Sequence, residues 1–187
     1  PHVLSMFEES QGRIRSMALV HEHLYQSEDL GQVNASAYIE SLVRQLERSH
    51  AMRASVVIKV EAEPITFGLN TAIPCALRVN ELVTNALEHA FPDRTEGEIL
   101  VRLRKTDHDA VTLIVADDGV GLPAALDTSK TATLGLRLVT SLVDQLEGEL
   151  VLERQPGTTF RITFHPREAQ RESETASRSK DEDCPQE

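Results

Sequence analysis

Apolar residues recur every three or four positions in four segments of the chain, which is the spacing of one face of an amphipathic helix. The predicted helices cover residues 3–25, 35–49, 71–90 and 134–147. Asn34 is placed to cap the second helix, and Gly148 is placed to end the fourth. Asn70 or Thr71 can cap the third, and Pro74 then falls in its first turn, where a proline is tolerated.

Alternation of apolar and polar residues, with many β-branched side chains, predicts five strands. They cover residues 55–61, 98–105, 110–116, 149–154 and 158–164. A polar link at 107–109 joins the second strand to the third, and Pro156-Gly157 joins the last two, so each pair forms a hairpin. We therefore predict an α+β fold, a two-layer sandwich in which a mixed, mostly antiparallel sheet is covered by helices on one face and preceded by a helical segment.

Length, charge and cysteine content narrow the class of protein. The 187 residues, 40% of them hydrophobic, suffice for one ordinary domain with appendages. A formal net charge of -11 argues against a nucleic-acid partner, because nucleic acids are bound by clustered Lys and Arg. Cys75 and Cys184 lie in unlike surroundings and suggest no disulfide, so we expect a reducing, cytoplasmic compartment for this domain.

Parts of the chain are predicted to lie outside the folded core. Residues 123–133 are small and polar without periodicity, which is typical of a mobile loop. Beyond Pro166 hydrophobic residues nearly vanish, so residues 167–187 are predicted to form a disordered charged tail. No apolar run is long enough to span a membrane, and no signal sequence opens the chain. Since the first residue is Pro1 and not Met, we expect a fragment of a longer protein, which could be soluble or membrane-anchored.

A polar stripe on the third predicted helix is the first candidate for chemistry. Glu81, Asn85 and His89 are four apart and project from one face, while apolar residues occupy the opposite face. The amide oxygen of Asn85 is a suitable ligand for Mg²⁺, which takes oxygen donors and keeps waters and substrate phosphates in its shell. Glu81 could accept a proton or hold a metal-bound water. Each residue alone is more often a surface residue, so only their combination predicts a site.

A glycine-rich turn follows the third predicted strand. Asp117 lies where this strand ends, and its carboxylate is suited to accept a hydrogen bond from an exocyclic amine such as that of adenine. Gly119 and Gly121 let the backbone approach a ligand closely, although Asp-Gly is also an ordinary turn signal. Gly135 precedes the fourth helix, whose N-terminal N–H groups could bind phosphate. Neither a P-loop nor a dinucleotide-binding glycine motif is present.

The order and spacing of these motifs resemble the GHKL ATP-binding fold of sensor histidine kinases. The matching segments are Glu81-x-x-x-Asn85-Ala86-x-x-His89, Asp117-x-Gly119-x-Gly121-Leu122-Pro123, Leu134-Gly135-Leu136-x-Leu138-Val139 and Gly157-Thr158-x-Phe160. Residues 13–25 resemble the second dimerisation helix of the HisKA_2 subfamily. The resemblance covers residues 8–165.

The resemblance implies a role for each matching residue. Asn85 would be the Mg²⁺ ligand, Asp117 would bind adenine, and Glu81 would assist proton transfer or position a metal-bound water. The remaining positions would contact the nucleotide, with Gly135 in the triphosphate site: His89, Gly119, Gly121, Leu134, Gly135, Leu136 and Thr158. The implied cofactors are ATP and Mg²⁺. The implied partners are a response regulator receiver domain and a second copy of the chain, which would form a homodimer through the helical segment.

The resemblance also implies a domain organisation. Residues 1–30 would be the second helix of a dimerisation and phosphotransfer hairpin, residues 31–166 the ATP-binding catalytic domain, and residues 167–187 the tail. His21 is followed by an acidic residue, as a phosphoacceptor often is, but it shares the apolar stripe of Ile14, Met17 and Leu24. We therefore expect His21 to be packed, and we expect the acceptor histidine in a first hairpin helix that would precede Pro1.

Two alternatives remain open. A GHKL serine kinase that inhibits a sigma factor would share the ATP-binding motifs, although the helical segment at residues 3–25 argues against this class. A phosphotransfer or dimerisation module that no longer binds nucleotide is suggested by Glu88 beside the polar stripe and by the isolated Gly135.

Overall fold

A computed structural model describes residues 14, 18, 32–49, 56–92, 96–106, 109–122, 143, 145–154 and 156–166. Ile14 and Ala18, the described residues of the first predicted helix, are both helical. The rest of that helix, the loop predicted at 123–133, most of the fourth predicted helix and the tail at 167–187 lie outside the described residues.

Seven described strands form two sheets. In chain order they are β1 Gln32–Asn34, β2 Val56–Ala62, β3 Thr66–Gly68, β4 Gly97–Lys105, β5 Val111–Asp117, β6 Glu149–Glu153 and β7 Thr158–Phe164. The main sheet has the order β2-β4-β5-β7-β6, and β1 pairs with β3 in a small antiparallel sheet. In the main sheet only β2 and β4 are parallel, so the predicted mixed, mostly antiparallel sheet is confirmed.

Two long helices, α1 Ala35–Ser49 and α2 Leu69–His89, lie against the main sheet. The inward side chains of the strands alternate with outward ones, as in β7, where every second residue is buried. The inward residues pack with the apolar faces of the helices; they include Ile58, Val101, Leu113, Ile162 and Phe164 from the sheet, and Ile39, Leu42, Val79 and Val83 from the helices. The main sheet and the two helices thus share one apolar core.

The outward face of the main sheet carries charges that pair across neighbouring strands. Lys59 Nζ lies 2.7 Å from Glu98 Oε2, and Arg102 Nε lies 2.7 Å from Glu61 Oε2. Hydrogen bonding to Arg102 holds the pKa of the Glu61 carboxyl below its usual value. These pairs are exposed, so they keep the face polar more than they stabilise the fold.

The predicted cap of α1 is confirmed. Asn34 Oδ1 accepts hydrogen bonds from the backbone N–H of Ala37 at 3.1 Å and from Ser36 Oγ at 2.8 Å. An N-cap side chain that accepts a hydrogen bond from the backbone N–H three residues later satisfies one of the N–H groups that a helix end leaves without an intrahelical partner. The polar residue Asn34, which precedes the apolar face of α1, therefore marks the start of this helix as predicted.

The predicted start of α2 is wrong. The helix begins at Leu69, and Gly68 occupies the N-cap position without a side-chain hydrogen bond, so neither Asn70 nor Thr71 is the cap. Strand β3 runs directly into the helix, and both β3 and β1 were missed because three residues are too few for a clear alternation. Pro74 consequently lies inside the helix and not in its first turn.

The end of the fourth predicted helix is partly described. The backbone N–H of Gly148 donates to the Val143 carbonyl at 3.0 Å, which closes the last turn near the predicted position. The left-handed residue is Glu147, with φ 51°, and not Gly148. Gly148 has a different role, since a Cβ there would lie 2.8 Å from the carbonyl oxygen of Thr163 on β7.

Replacing Asn34 with Ala should lower the free energy of unfolding by about 1 kcal/mol, because the Ala37 N–H loses its acceptor. Asn34→Asp keeps an oxygen in the same place and should stay within about 0.5 kcal/mol of the parent chain. Urea denaturation followed by circular dichroism measures both changes. Equal losses in the two variants would contradict the role of Asn34 as a cap.

Candidate functional site

The turn that follows β5 is organised by one carboxylate. Asp117 Oδ1 accepts hydrogen bonds from the backbone N–H of Gly119 at 2.9 Å and from that of Thr158 at 3.3 Å. The first bond shapes the turn, and the second ties it to the start of β7. Asp117 therefore joins the end of one strand to the beginning of its neighbour, with which it is also in register.

Burial raises the pKa of the Asp117 carboxyl, and the nearby Asp118 adds to the increase. Hydrogen bonds from Gly119 and Thr158 act in the opposite direction but do not cancel it. Both backbone bonds end on Oδ1, and an ionised carboxylate has about four acceptor positions on two oxygens. The group can therefore hold the turn and still accept a hydrogen bond from a ligand.

The same turn lies against the end of α2. The backbone N–H of Val120 donates to the Ala90 carbonyl at 2.9 Å, just beyond the last residue of the helix. A Cβ at Gly119 would clash with that carbonyl oxygen, so only glycine permits this approach. The predicted glycine-rich turn and the predicted polar helix thus meet at one corner of the domain.

A second close approach fixes the turn from the other side. Gly157 has φ 66°, and a Cβ on it would clash with the Asp117 carbonyl oxygen. Gly121 has φ 75°, and a Cβ there would lie 2.7 Å from the Arg154 carbonyl oxygen. The turn is therefore packed between the end of α2 and the hairpin of β6 and β7, with no space for side chains at these glycines.

A further pair of hydrogen bonds secures the residue after Asp117. The backbone N–H of Asp118 donates to the Glu98 carbonyl at 3.2 Å, and Asp118 Oδ1 accepts the Glu98 N–H at 2.8 Å. Asp118 is exposed, in contrast to Asp117. The two adjacent aspartates hence differ in surroundings, and only Asp117 lies within the corner.

Solvent exposure increases along the predicted polar stripe of α2 toward the C-terminus of the helix. Glu81 is buried, Asn85 is half-buried and His89 is exposed. His89 Nε2 lies 3.8 Å from Glu88 Oε2 at the rim. The Nδ2 atom of Asn85 is buried and makes no hydrogen bond to the described residues. The nitrogen and oxygen of a side-chain amide are assigned from the hydrogen-bond network, so the two can exchange places. Whichever atom occupies the buried position is a polar atom whose hydrogen bond a ligand can supply.

A metal ion would have to share its ligands with the nucleotide. Within the described ranges, no cluster of three or more His, Cys, Asp and Glu residues could hold a metal ion. Magnesium often takes one or two protein oxygens and completes its shell with phosphate oxygens and waters. The side-chain oxygen of Asn85 is the type of ligand that this mode of binding uses, and Glu81 lies one turn before it.

The structure brings Asp117, Gly119, Gly121 and Thr158 together at this corner. His89 precedes Ala90, which the turn contacts, and Asn85 and Glu81 lie one and two turns earlier on the same helix. Leu134, Gly135 and Leu136 lie outside the described residues.

Comparison with known protein families shows the family to which the chain belongs. Residues 72–168, just over half of the chain, match the model described as histidine kinase-, DNA gyrase B-, and HSP90-like ATPase. The chain belongs to this ATPase family. Residues 1–50 match a second model, HisKA_2, described as histidine kinase. The resemblance to GHKL domains of the HisKA_2 subfamily, and with it nucleotide binding as the property of the family, is confirmed.

Curated relatives of this ATPase domain include histidine kinases. Blue-light-activated histidine kinase 2 of Erythrobacter litoralis is 32% identical over 157 residues, which cover 80% of this chain and 44% of the relative. Sensor histidine kinase PdtaS of Mycobacterium tuberculosis is 32% identical over 154 residues, which cover 80% of this chain and 30% of the relative. The chain thus spans less than half of the length of these relatives.

The fold of the ATPase domain also has solved counterparts. The histidine kinase domain of the Erythrobacter litoralis EL346 blue-light-activated histidine kinase superposes with a TM-score of 0.77 at 27% sequence identity. The match covers 83% of this chain and 74% of that domain. The predicted two-layer sandwich of the GHKL type is confirmed.

Some residues of the corner were missed by sequence reasoning. Gly157 was assigned to a hairpin turn and to the closing family motif, but neither assignment predicts its contact with Asp117. The Ala90 carbonyl carried no signal, because backbone acceptors are the same in every residue. Arg78 did carry a signal, since it is a charged residue in an apolar part of α2, and it is completely buried.

Replacing Gly157 with Ala should lower the free energy of unfolding by at least about 1 kcal/mol, because the residue has positive φ and its Cβ meets the Asp117 carbonyl. Pro156→Ala, in the same turn but exposed, should cost less than about 1 kcal/mol. Thermal and urea denaturation give both values. A Gly157→Ala variant as stable as the parent chain would show that the turn is not tightly packed.

Proposed function

We propose that the chain is the ATP-binding catalytic domain of a two-component sensor histidine kinase. It would transfer the γ-phosphoryl group of ATP to a histidine of a dimerisation helix. The observation that carries the proposal is the corner at which the Asp117 turn is fixed against the end of α2, in a chain whose first 50 residues match a histidine kinase model.

The base end of the nucleotide is assigned to Asp117. Its carboxylate would accept a hydrogen bond from the exocyclic amine of adenine, and the half-buried setting strengthens such a bond relative to one made in water. Gly119, Gly121 and Thr158 would line this end, and His89 would contact the nucleotide from the rim. Because Asp117 is held by two backbone N–H groups, it is oriented before the base arrives.

The phosphate end is assigned to the polar stripe of α2. Asn85 would be the protein ligand of Mg²⁺, and Leu134, Gly135 and Leu136 would lie at the triphosphate. Magnesium, when bound, neutralises phosphate charge during the transfer. Glu81 would position the attacking group or accept its proton from one turn away. Most of the catalytic effect would come from positioning, since the ATP-binding domain itself would form no bond to the phosphoryl group, which would leave ADP and bond to the acceptor histidine.

The remaining parts of the chain are assigned to assembly. Residues 1–30 would form the second helix of a dimerisation hairpin, residues 31–166 the catalytic domain and residues 167–187 a tail. A homodimer through the helical segment and a response regulator receiver domain would be the partners. Neither helix that the structure describes in full has the length and apolar character needed to cross a membrane. The HisKA_2 match over residues 1–50 favours this function over that of a serine kinase that regulates a sigma factor.

The Asp117→Asn variant should bind Mg²⁺-ATP at least about 10-fold more weakly than the parent chain. Asparagine keeps an oxygen for the Gly119 and Thr158 N–H groups but presents an NH₂ group to the adenine amine, so two donors face each other. Asp118→Asn is the matched control, because its amide oxygen can still accept the Glu98 N–H; it should change the affinity less than about threefold. Isothermal calorimetry measures both, and unchanged affinity in Asp117→Asn would overturn the adenine assignment.

Inosine triphosphate gives an independent test of the same contact, because its base carries a carbonyl where adenine carries the amine. The parent chain should prefer ATP by about 10-fold or more. In Asp117→Asn this preference should shrink or reverse, since the asparagine NH₂ can donate to the carbonyl. Competition binding with a fluorescent nucleotide reports the ratio. A preference that survives in the variant would place the base elsewhere.

Replacing Asn85 with Ala should remove the dependence of ATP binding on Mg²⁺. In the parent chain, ATP should bind more weakly in EDTA than in Mg²⁺, and Asn85→Ala in Mg²⁺ should resemble the parent chain in EDTA. Thr84→Ala, on the neighbouring part of α2, should keep the difference. Calorimetric titrations in both buffers measure it. A full Mg²⁺ effect in Asn85→Ala would argue against Asn85 as the metal ligand.

A further inference from the structure

Among the described residues, the buried side-chain polar atoms that have no hydrogen-bond partner all lie on one face of α2. In the part of the chain that the structure describes, they belong to Thr71 (Oγ1), Arg78 (all three guanidinium nitrogens) and Asn85 (Nδ2). These residues are seven apart, and seven residues make two helical turns less about 20°, so the three lie along one line. We call this line the polar seam. The polar seam runs from Asn85 toward the N-terminus of α2.

Arg78 is the unusual member of the polar seam. Its side chain is completely buried, yet none of its nitrogens donates a hydrogen bond to a described residue. Burial lowers the pKa of its guanidinium to about 10, with Cys75 opposing the decrease, so the group remains charged at neutral pH. A buried charge without a partner is strongly unfavourable. The domain therefore carries a cationic group that no described residue satisfies.

The direction of the nucleotide along α2 follows from the corner described above. The Asp117 turn touches Ala90, so a base bound by Asp117 would lie near the C-terminus of the helix. The phosphates would then extend back along the helix, past Asn85 to Glu81. With a rise of about 1.5 Å per residue, Glu81 is about 14 Å from Ala90 along the axis, and Arg78 is only about 4.5 Å further. The anion nearest to Arg78 would then be the terminal phosphate.

We propose that Arg78 binds the terminal phosphate of the nucleotide and thereby makes the domain favour a nucleoside triphosphate over a diphosphate. This inference rests on the proposed function. The guanidinium presents several N–H donors in a planar fork that matches two phosphate oxygens. Thr71, about 10 Å further along the axis, is too distant to take part.

Binding requires Arg78 to rotate. Helical side chains lean toward the N-terminus, and the influence of Cys75 on the Arg78 pKa places the guanidinium near the preceding turn. A rotation toward Glu81 breaks no hydrogen bond, because the guanidinium makes none with the described residues. The movement exchanges an unpaired buried charge for a charge paired with phosphate.

The affinity test compares Mg²⁺-ATP and Mg²⁺-ADP by calorimetry. Arg78→Met should weaken ATP about 10-fold and ADP less than about twofold, because only ATP has the terminal phosphate. Arg78→Lys should retain part of the preference, since lysine keeps the charge but not the planar fork. Arg44→Gln is the matched control, because Arg44 is an exposed arginine on α1 that pairs with Glu40; it should leave both affinities unchanged.

A second measurement uses the ligand-free chain. Arg78→Met should melt several degrees higher than the parent chain, because an apolar side chain of similar length replaces an unpaired buried charge. A variant that melts lower or does not fold would mean that Arg78 has a structural partner, and this would overturn the inference. Equal losses for ATP and ADP, or no loss, would overturn it while leaving the proposed function intact. A parent chain that binds neither nucleotide would overturn both.

Discussion

The candidate site depends on the contact between the Asp117 turn and the elements on either side of it. One oxygen of Asp117 accepts backbone hydrogen bonds from Gly119 and from Thr158, so a single side chain connects the end of β5, the turn and the start of β7. The backbone can come this close only because Gly119 and Gly157 have no side chains. The acceptor thereby has a fixed direction before any ligand binds, which is the condition for discrimination between bases.

Burial and hydrogen bonding shift the pKa of the Asp117 carboxyl in opposite directions, and the net shift favours contact with a hydrogen-bond donor from a ligand. Burial raises the pKa of Asp117, which means that the ionised form is less stable there than in water. A donor from a ligand would favour the ionised form and relieve part of that cost. The same principle applies along α2, where Asn85 Nδ2 and the Arg78 guanidinium are buried and make no hydrogen bond to a described residue, which is unfavourable without a ligand. Such groups lower the stability of the free domain and become favourable once an anion or metal is bound.

Much of the fold could be predicted from local patterns. The hairpins were found because alternation and turn residues agree, and the start of α1 was found because Asn34 precedes an apolar stripe. The start of α2 was misplaced because polar side chains at Asn70 and Thr71 imitate a cap, while the true boundary is set by the pairing of β3 with β1. That pairing joins residues more than thirty positions apart, and no short window contains it.

The residues of the candidate site could be predicted, but their arrangement in space could not. The family motifs identified Asn85 and Asp117, yet the approach of Gly157 to Asp117 is a tertiary contact with no sequence period. Arg78 could have been noticed as a charge in an apolar stretch, but its complete burial depends on how α2 packs. Residues 134–136 fit the family motif and remain a prediction.

The most direct test of the account is to map Mg²⁺-ATP on the chain by NMR with ¹⁵N labelling. The account predicts large shifts for the backbone amides of Gly119, Gly121 and Thr158 and for the side-chain amide of Asn85, with little change at the cap of α1 around Ala37. Shifts centred on the outward face of the sheet, or no shifts at saturating nucleotide, would contradict it.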